Sequence, residues 1–488
     1  MSHQFIDGTW TTGSGGTADV VNPFDASVVD RLDQAGPEDV DRAVAAARAA
    51  FDAGPWPRTP TAERAALLHR VADLLQRDKE QIARTETLDT GKTLIESGID
   101  VDDVTNVFRY YADLVAADSG RVVDTGLSHV VSRVVHEPVG VCALITPWNY
   151  PLLQLSWKVA PALAAGNTVV IKPSEVTPLT SLKLVELLAE AGAPPGAVNI
   201  VLGDGRSVGS PLVAHRDVDL VSFTGGVATG QAIMRAAADT VKRVSLELGG
   251  KNPNVVFADT DFDTVVDYAL VAVFLHAGQV CSAGARLIVE DSLYDPLVAE
   301  VARRAERIRL GNGLDPETES GPLVSEVQRT KIEDYVASAV AEGARLVAGG
   351  RRPDDPALAK GFFYRPTVFA DCHTGMRVVR EETFGPILTV ERFRGEEEAV
   401  ALANGTDYGL AGAVWTNDMA TAHRVADALR HGTVWINDYH PYIPGAEWGG
   451  MKRSGTGREL GPTGLHEYQE TKHVWHNTAP SAQRWFKA

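Results

Sequence analysis

Cysteine is scarce: Cys142, Cys281 and Cys372 are the only three in 488 residues. They are too few and too scattered for a disulfide framework or a zinc site, and no metal is expected. Basic charge is also in deficit, with 46 Lys and Arg against 64 Asp and Glu and a formal net charge of −18. That balance argues against nucleic acid or an anionic membrane as partner, and it would not repel a cationic substrate. No stretch approaches the ~18–20 apolar residues of a membrane span. The start, Met1 to Gly8, lacks a basic region followed by an apolar run, so a secretory leader is not expected. Together these absences predict a protein of the reducing cytoplasm. Internal repeats, low-complexity linkers and the G-x-G-x-x-G dinucleotide fingerprint are missing too.

What is present is a soluble globular composition, 44% hydrophobic and 23% charged, in a chain long enough for two or three domains. Residues 5–35 read as short strands and turns. Apolar residues at Val40, Ala43, Val44, Ala47 and Phe51 have helical spacing, and helices are expected over about 61–83 and 92–117. On the last of these, Glu96, Asp100 and Asp103 share one face, which is solvated unless it serves a site. The β-branched run 121–135 reads as strands that leave the first domain to pair with another subunit.

From 139 the rhythm is strand, helix, strand: strands near 139–145, 168–172, 198–202 and 218–223, with helices near 152–165, 178–191, 206–214 and 227–239. A second series runs from 253 to 436, through strands near 253–257, 286–290, 386–392, 411–416 and 432–436. A final strand is expected near 468–476. Alternation of this kind predicts parallel, doubly wound sheets.

Several segments at the ends of these strands carry reactive or binding groups. Glu247-Leu-Gly-Gly-Lys251 offers a carboxylate beside two glycines. Gly278-Gln-Val-Cys281 offers a thiol among small residues. A thiol can bond a carbonyl carbon, and a carboxylate can activate water to release the product. Alone, Cys281 reads first as a small buried residue, and its setting among small residues shifts the balance toward a nucleophile; near a helix start its thiolate would gain from the local positive potential. Pro147-Trp-Asn-Tyr-Pro151 holds an Asn amide that suits an oxyanion, or it is a rigid aromatic turn. Lys172-Pro-Ser-Glu175 can meet ribose hydroxyls or pair internally. Gly203-Asp-Gly205 and Phe223-Thr-Gly-Gly226 are candidate phosphate loops, the latter at a helix start with free N–H groups. Glu381-Glu-Thr-Phe-Gly-Pro386 adds a carboxylate and an aromatic face.

These segments, with Trp448-Gly-Gly-Met-Lys-Arg-Ser-Gly-Thr-Gly-Arg-Glu459, occur in an order that resembles the aldehyde dehydrogenase superfamily over essentially the whole chain. The resemblance implies a Rossmann-like, doubly wound NAD-binding domain (1–120 and 139–248), an α/β catalytic domain (249–450) and a small β oligomerisation arm (121–138 and 465–488). It implies Cys281 as nucleophile, Asn149 with the Cys281 N–H as oxyanion donors, and Glu247 as the base for hydrolysis. Lys158 and Glu459 match a proton path behind that base. NAD would be held by Lys172, Ser174 and Glu175 at the adenosine ribose, and by Glu382 and Phe384 at the nicotinamide end. Between them would lie Ile145, Thr146, Pro147, Trp148, Gly205, Phe223, Thr224, Gly225, Gly226, Leu248 and Gly249. Many members carry serine where Gly226 stands, so only backbone contact to the phosphate is implied there.

Within the superfamily the chain is most similar to betaine aldehyde and aminoaldehyde dehydrogenases. Tyr150, Trp157 and Trp448, with Tyr442, are the aromatic positions expected around a cationic group. Glu96, Asp100 and Asp103 would then form an acidic approach, while the aliphatic Leu275 leaves the cage open on one side. A homo-oligomer, dimer or tetramer, is implied. The alternatives are a general aldehyde dehydrogenase, a CoA-acylating enzyme, which Glu247 disfavours, and a non-catalytic protein on the same fold.

Overall fold

The strands Val141–Ile145 and Thr168–Lys172 are buried along their whole length, as strands covered by helices on both faces must be. In the computed structural model, which describes residues 2–486, they form the centre of an eight-stranded sheet. Met1, at the start of the expected first domain, and residues 487–488, at the end of the expected arm, lie outside the described residues. From one edge the order is Gly455–Thr456, Arg243–Leu248, Leu220–Gly225, Val141–Ile145, Thr168–Lys172, Val198–Ile200, Gln4–Ile6, Thr9–Thr11. The five strands from Arg243–Leu248 to Val198–Ile200 are mutually parallel.

A second sheet runs Arg345–Ala348, Thr367–Ala370, Ile387–Phe393, Arg286–Glu290, Pro253–Val256, Ala411–Trp415, Thr433–Ile436, and is parallel except at its first strand. The expected α/β class with parallel, doubly wound sheets is therefore what the chain adopts. Val130–Pro138 pairs antiparallel with Gln469–Asn477 over nine residues, and Arg121–Val123 completes a separate three-stranded sheet. Val122 and Trp475 on this sheet are exposed.

Several expected elements differ. The helix foreseen at 61–83 is two, Thr61–Arg77 and Lys79–Thr90. Asp78 between them has φ −97° and ψ 11°, outside the helical range. Strands Arg345–Ala348 and Thr367–Ala370 and the helix Met419–Ala428 were not foreseen. The first of these is short, mostly exposed and without alternation, and the helix is only 10 residues long. The first sheet's carboxyl edge carries Ile145, Lys172, Gly225 and Leu248 at consecutive strand ends. Open α/β sheets bind ligands outside that edge.

Candidate active site

A cleft of about 500 Å³ opens at that edge, and most of the sequence-predicted residues meet in its wall. Cys281, Glu247, Asn149 and Trp448 lie at one end, Lys172, Ser174 and Glu175 at the other. Ile145, Thr146, Pro147, Trp148, Gly205, Phe223, Thr224, Gly225, Gly226, Leu248, Gly249, Glu382 and Phe384 line the space between. The structure adds Gln154, Gln328 and Lys331 to this wall. None of the three belongs to a strand-end motif, and only tertiary packing brings them in.

Cys281 is held by backbone geometry. The short helical turn Leu275–Gly278 before it carries left-handed residues, His276 at φ 47° and Ala277 at φ 51°. A Cβ on Gly278 would sit 2.2 Å from the Gly385 carbonyl oxygen, so only glycine fits. Asn149 is buried, and its Nδ2 donates to the Gln279 carbonyl at 2.8 Å. That bond fixes the amide close to the nucleophile's own loop and leaves its second N–H available. The expected helix start at Cys281 is not found: the residue lies in a turn ahead of the strand Arg286–Glu290. No helix dipole assists the thiol, and burial, with Glu382 and Glu247 beside it, pushes it up to about 12.

Glu247 is the penultimate residue of the strand Arg243–Leu248, with both carboxylate oxygens buried and without a hydrogen-bond partner. Burial raises it well above the usual carboxylate range; Glu459 raises it further, while Lys158 and Arg458 oppose the shift. An unpaired buried carboxylate is costly, and such groups cluster at functional sites. A Cβ on Gly449 would lie 2.7 Å from Glu247 Oε1, so the Trp448–Gly449 backbone passes directly against the carboxylate. Lys158 is fully buried and donates to Glu459 Oε1 and, at 3.1 Å, to Ser222 Oγ. Glu459 is tied to Trp448 by paired backbone hydrogen bonds of 2.7 and 2.8 Å. A chain of titratable groups thus runs behind Glu247.

The cleft suits a dinucleotide in its donor set. Gly226 caps the helix Val227–Ala237, and a Cβ there would meet nothing within 4 Å, so the helix N-terminus is open to a phosphate. Lys172 Nζ donates to Glu175 Oε2 at 3.2 Å, and burial pulls the amine down despite that partner. Glu382 accepts the Gly250 N–H at 3.1 Å and is pushed up to about 7 by burial. A Cβ on Gly249 would land 1.9 Å from Glu382 Oε2, so this glycine makes room for the carboxylate. Phe384, at φ 58°, presents its ring edge-on to Trp148 at 5.1 Å and is pinned by Gln328 Nε2 donating to its carbonyl.

The expected aromatic cage is rearranged. Trp157, Trp448 and Tyr442 pack together, with centroids 5.3–6.2 Å apart. Of the three only Trp448 lines the cleft, and Trp157, at 2% exposed, is packed away from it. Tyr150 packs instead edge-on to His276 at 5.5 Å, and the Lys92 ammonium lies 3.7 Å over its ring. One face of Tyr150 therefore already holds a cation.

The acidic approach is also corrected. Glu96 caps its own helix through Thr93 and accepts the His276 N–H at 2.7 Å. Asp100 is buried against Lys92 Nζ at 2.5 Å, with Glu86 at 3.4 Å from the same ammonium. Both carboxylates are used up by the scaffold. Asp103 alone reaches the aromatic group, accepting the Tyr442 hydroxyl at 2.6 Å. Lys92, which organises this cluster, carried no sequence signal: its pairing with Glu86 and Asp100 depends on burial between two helices.

A thiol and a carboxylate at the end of a dinucleotide-sized cleft define a site for covalent chemistry on a carbonyl. The aldehyde dehydrogenase family profile matches residues 10–474, and the chain belongs to that family. It is 55% identical over 485 residues to the betaine aldehyde dehydrogenase of Bacillus subtilis (strain 168), covering 99% of each chain. It is 45% identical to betaine aldehyde dehydrogenase 1 of Oryza sativa subsp. japonica, covering 99% of this chain and 97% of that one. A betaine aldehyde dehydrogenase from Staphylococcus aureus, solved with NAD+, superposes with a TM-score of 0.99 at 50% identity, covering 100% of this chain and 97% of that one.

Proposed function

We propose that the protein oxidises betaine aldehyde, or a related cationic aminoaldehyde, to the carboxylate with NAD. The observation that carries this reading is the juxtaposition of Cys281 and the unpartnered carboxylate of Glu247 in one cleft wall. Cys281 Sγ attacks the aldehyde carbon. The Asn149 amide and the Cys281 N–H receive the oxyanion, a contribution of about 3–4 kcal/mol when well placed. Bound NAD supplies the hydride acceptor. Lys172 and Glu175 hold its adenosine ribose, Glu382 orients the nicotinamide ribose, and the N-terminus of Val227–Ala237 meets the pyrophosphate.

The thioester left on Cys281 is broken by water that gives its proton to Glu247. A carboxylate raised above its ordinary range is, in its ionised form, the stronger base toward that water. Lys158 and Glu459 pass it onward. Glu247 also favours water over CoA as the acceptor of the acyl group. Trp448 and Tyr442 face the cationic end of the substrate. The Lys92 ammonium over Tyr150 favours a second reading, an enzyme for aldehydes in general, because it removes one face from the cage. The exposed apolar arm strands suit pairing with a second copy, as a dimer or tetramer, and a cytoplasmic location is part of the proposal.

NADH formation followed by absorbance with betaine aldehyde, 4-aminobutanal and 3,3-dimethylbutanal tests the proposal. Higher kcat/KM for the cationic pair is expected. Equal values would make it a general aldehyde dehydrogenase, and no turnover of any aldehyde would reject the activity.

A further inference from the structure

Outside the cleft, three groups from separate parts of the chain meet. Asp118 caps the C-terminal end of the helix Leu94–Ala117, His136 stands on the arm strand Val130–Pro138, and His466 ends the short helix Gly461–His466. His136 Nδ1 lies 3.1 Å from Asp118 Oδ2, and His466 Nε2 lies 3.1 Å from Asp118 Oδ1. The three donor atoms are all within 4.8 Å of one another. Ligands bound at ~2.0–2.1 Å in a tetrahedral zinc site are separated by about 3.3 Å, so small side-chain shifts would bring these atoms onto one ion.

Gln469 is an independent sign of a missing partner. It is 8% exposed; its Nε2 donates to Asp118 Oδ2 at 2.9 Å, while its Oε1 is buried with no hydrogen-bond partner. Asp118, His136 and Gln469 share the wall of a cavity of about 320 Å³. Arg64, also in that wall, is engaged by the carbonyls of Ala164 and Thr59 at 2.8 and 2.7 Å. Gln469 is placed as an outer support for a ligating carboxylate, and its free oxygen suits a water carried by an ion in the cavity.

We infer that Asp118, His136 and His466 form a binding site for a late first-row divalent cation, with Zn2+ as the best fit. Two imidazoles and one carboxylate suit Zn2+, Ni2+ or Cu2+ better than Mg2+ or Ca2+, which prefer oxygen ligands. The cavity leaves the fourth position to water. The ion would clip the arm strand to the body of the protein, joining segments that are otherwise linked through 118, 136 and 466 only by hydrogen bonds. It is a structural clip and takes no part in the oxidation.

The test uses the full chain carrying Cys281→Ser, so that the cleft thiol cannot compete for metal. Zn2+ is titrated calorimetrically, and Co2+ is added as an optical probe. One ion per chain is expected, with visible Co2+ bands of a tetrahedral nitrogen–oxygen site, no thiolate charge-transfer band and a raised Tm. His466→Gln, at a half-exposed position whose loss the fold should tolerate, should weaken binding at least tenfold and abolish the Tm gain. His136→Gln should do the same. Binding unchanged in a folded His466→Gln protein would overturn the inference, as would no binding at micromolar Zn2+.

Discussion

Replacing Trp448 by Ala separates recognition of charge from simple packing. Trp448 is buried to all but 5% of its surface, yet it lines the cleft beside Cys281. A cation over a ring in such a desolvated setting gains ~2 kcal/mol, against ~0.5 at an exposed one. At 1.36 kcal/mol per decade, the upper figure is a loss of about 30-fold in kcat/KM beyond whatever a neutral substrate loses. Betaine aldehyde and its neutral isostere 3,3-dimethylbutanal fill nearly the same volume, so the ratio of their losses isolates the charge. Salt should matter little. Asp100 is neutralised by Lys92 and Glu96 caps its helix, which leaves Asp103 as the acidic group at the aromatic cluster. One unit charge acting over ~8 Å of water is worth about 0.5 kcal/mol, roughly a twofold effect. NADH formation by the parent and Trp448→Ala, at low and high salt, reads both quantities. Equal losses for the two substrates would refute charge recognition by Trp448, and a tenfold salt effect would refute the neutralised approach.

Three further outcomes follow from the same geometry. Because the Cys281 thiol is pushed up to about 12, only about one in ten thousand is ionised at pH 8; alkylation of the cofactor-free protein by iodoacetamide should rise nearly tenfold per pH unit from 7 to 10, and a plateau below pH 9 would contradict this. Glu382→Gln removes one of the two negative charges that raise the thiol, so alkylation at pH 9 should become faster; a slower rate would mean that Glu382 instead exposes or orients Cys281. NAD should be preferred to NADP, since Glu175 would repel a 2′-phosphate, and Glu175→Gln should narrow the gap in kcat/KM; comparable values in the parent would remove Glu175 from that role.

Much of the fold was legible because parallel strands write themselves as short β-branched runs. Thr168–Lys172 and Arg286–Glu290 have the bounds that their composition indicates. Arg345–Ala348 was invisible for the opposite reason, an exposed edge strand with no alternating face. The cleft was legible in part, because Cys281, Glu247, Asn149 and Glu382 each stand in a short motif of glycine or proline. Glu96 and Asp100 misled: their helical spacing shows a shared face but not what covers it. Lys92 and the His276 N–H, brought in by packing, decide that those carboxylates are internal. Asp118, His136 and His466 gave no signal at all, since 348 residues separate the first from the last.

The most direct test of the account is the fate of Cys281 when Glu247 is replaced by Gln. The amide fills the same buried space but cannot take a proton from water. One equivalent of NADH per site should appear in a burst, followed by turnover slowed at least a hundredfold, and mass spectrometry of the acid-quenched protein should find the acyl group on Cys281. Loss of the burst together with turnover, with no acyl group on Cys281, would contradict the division of labour between thiol and carboxylate.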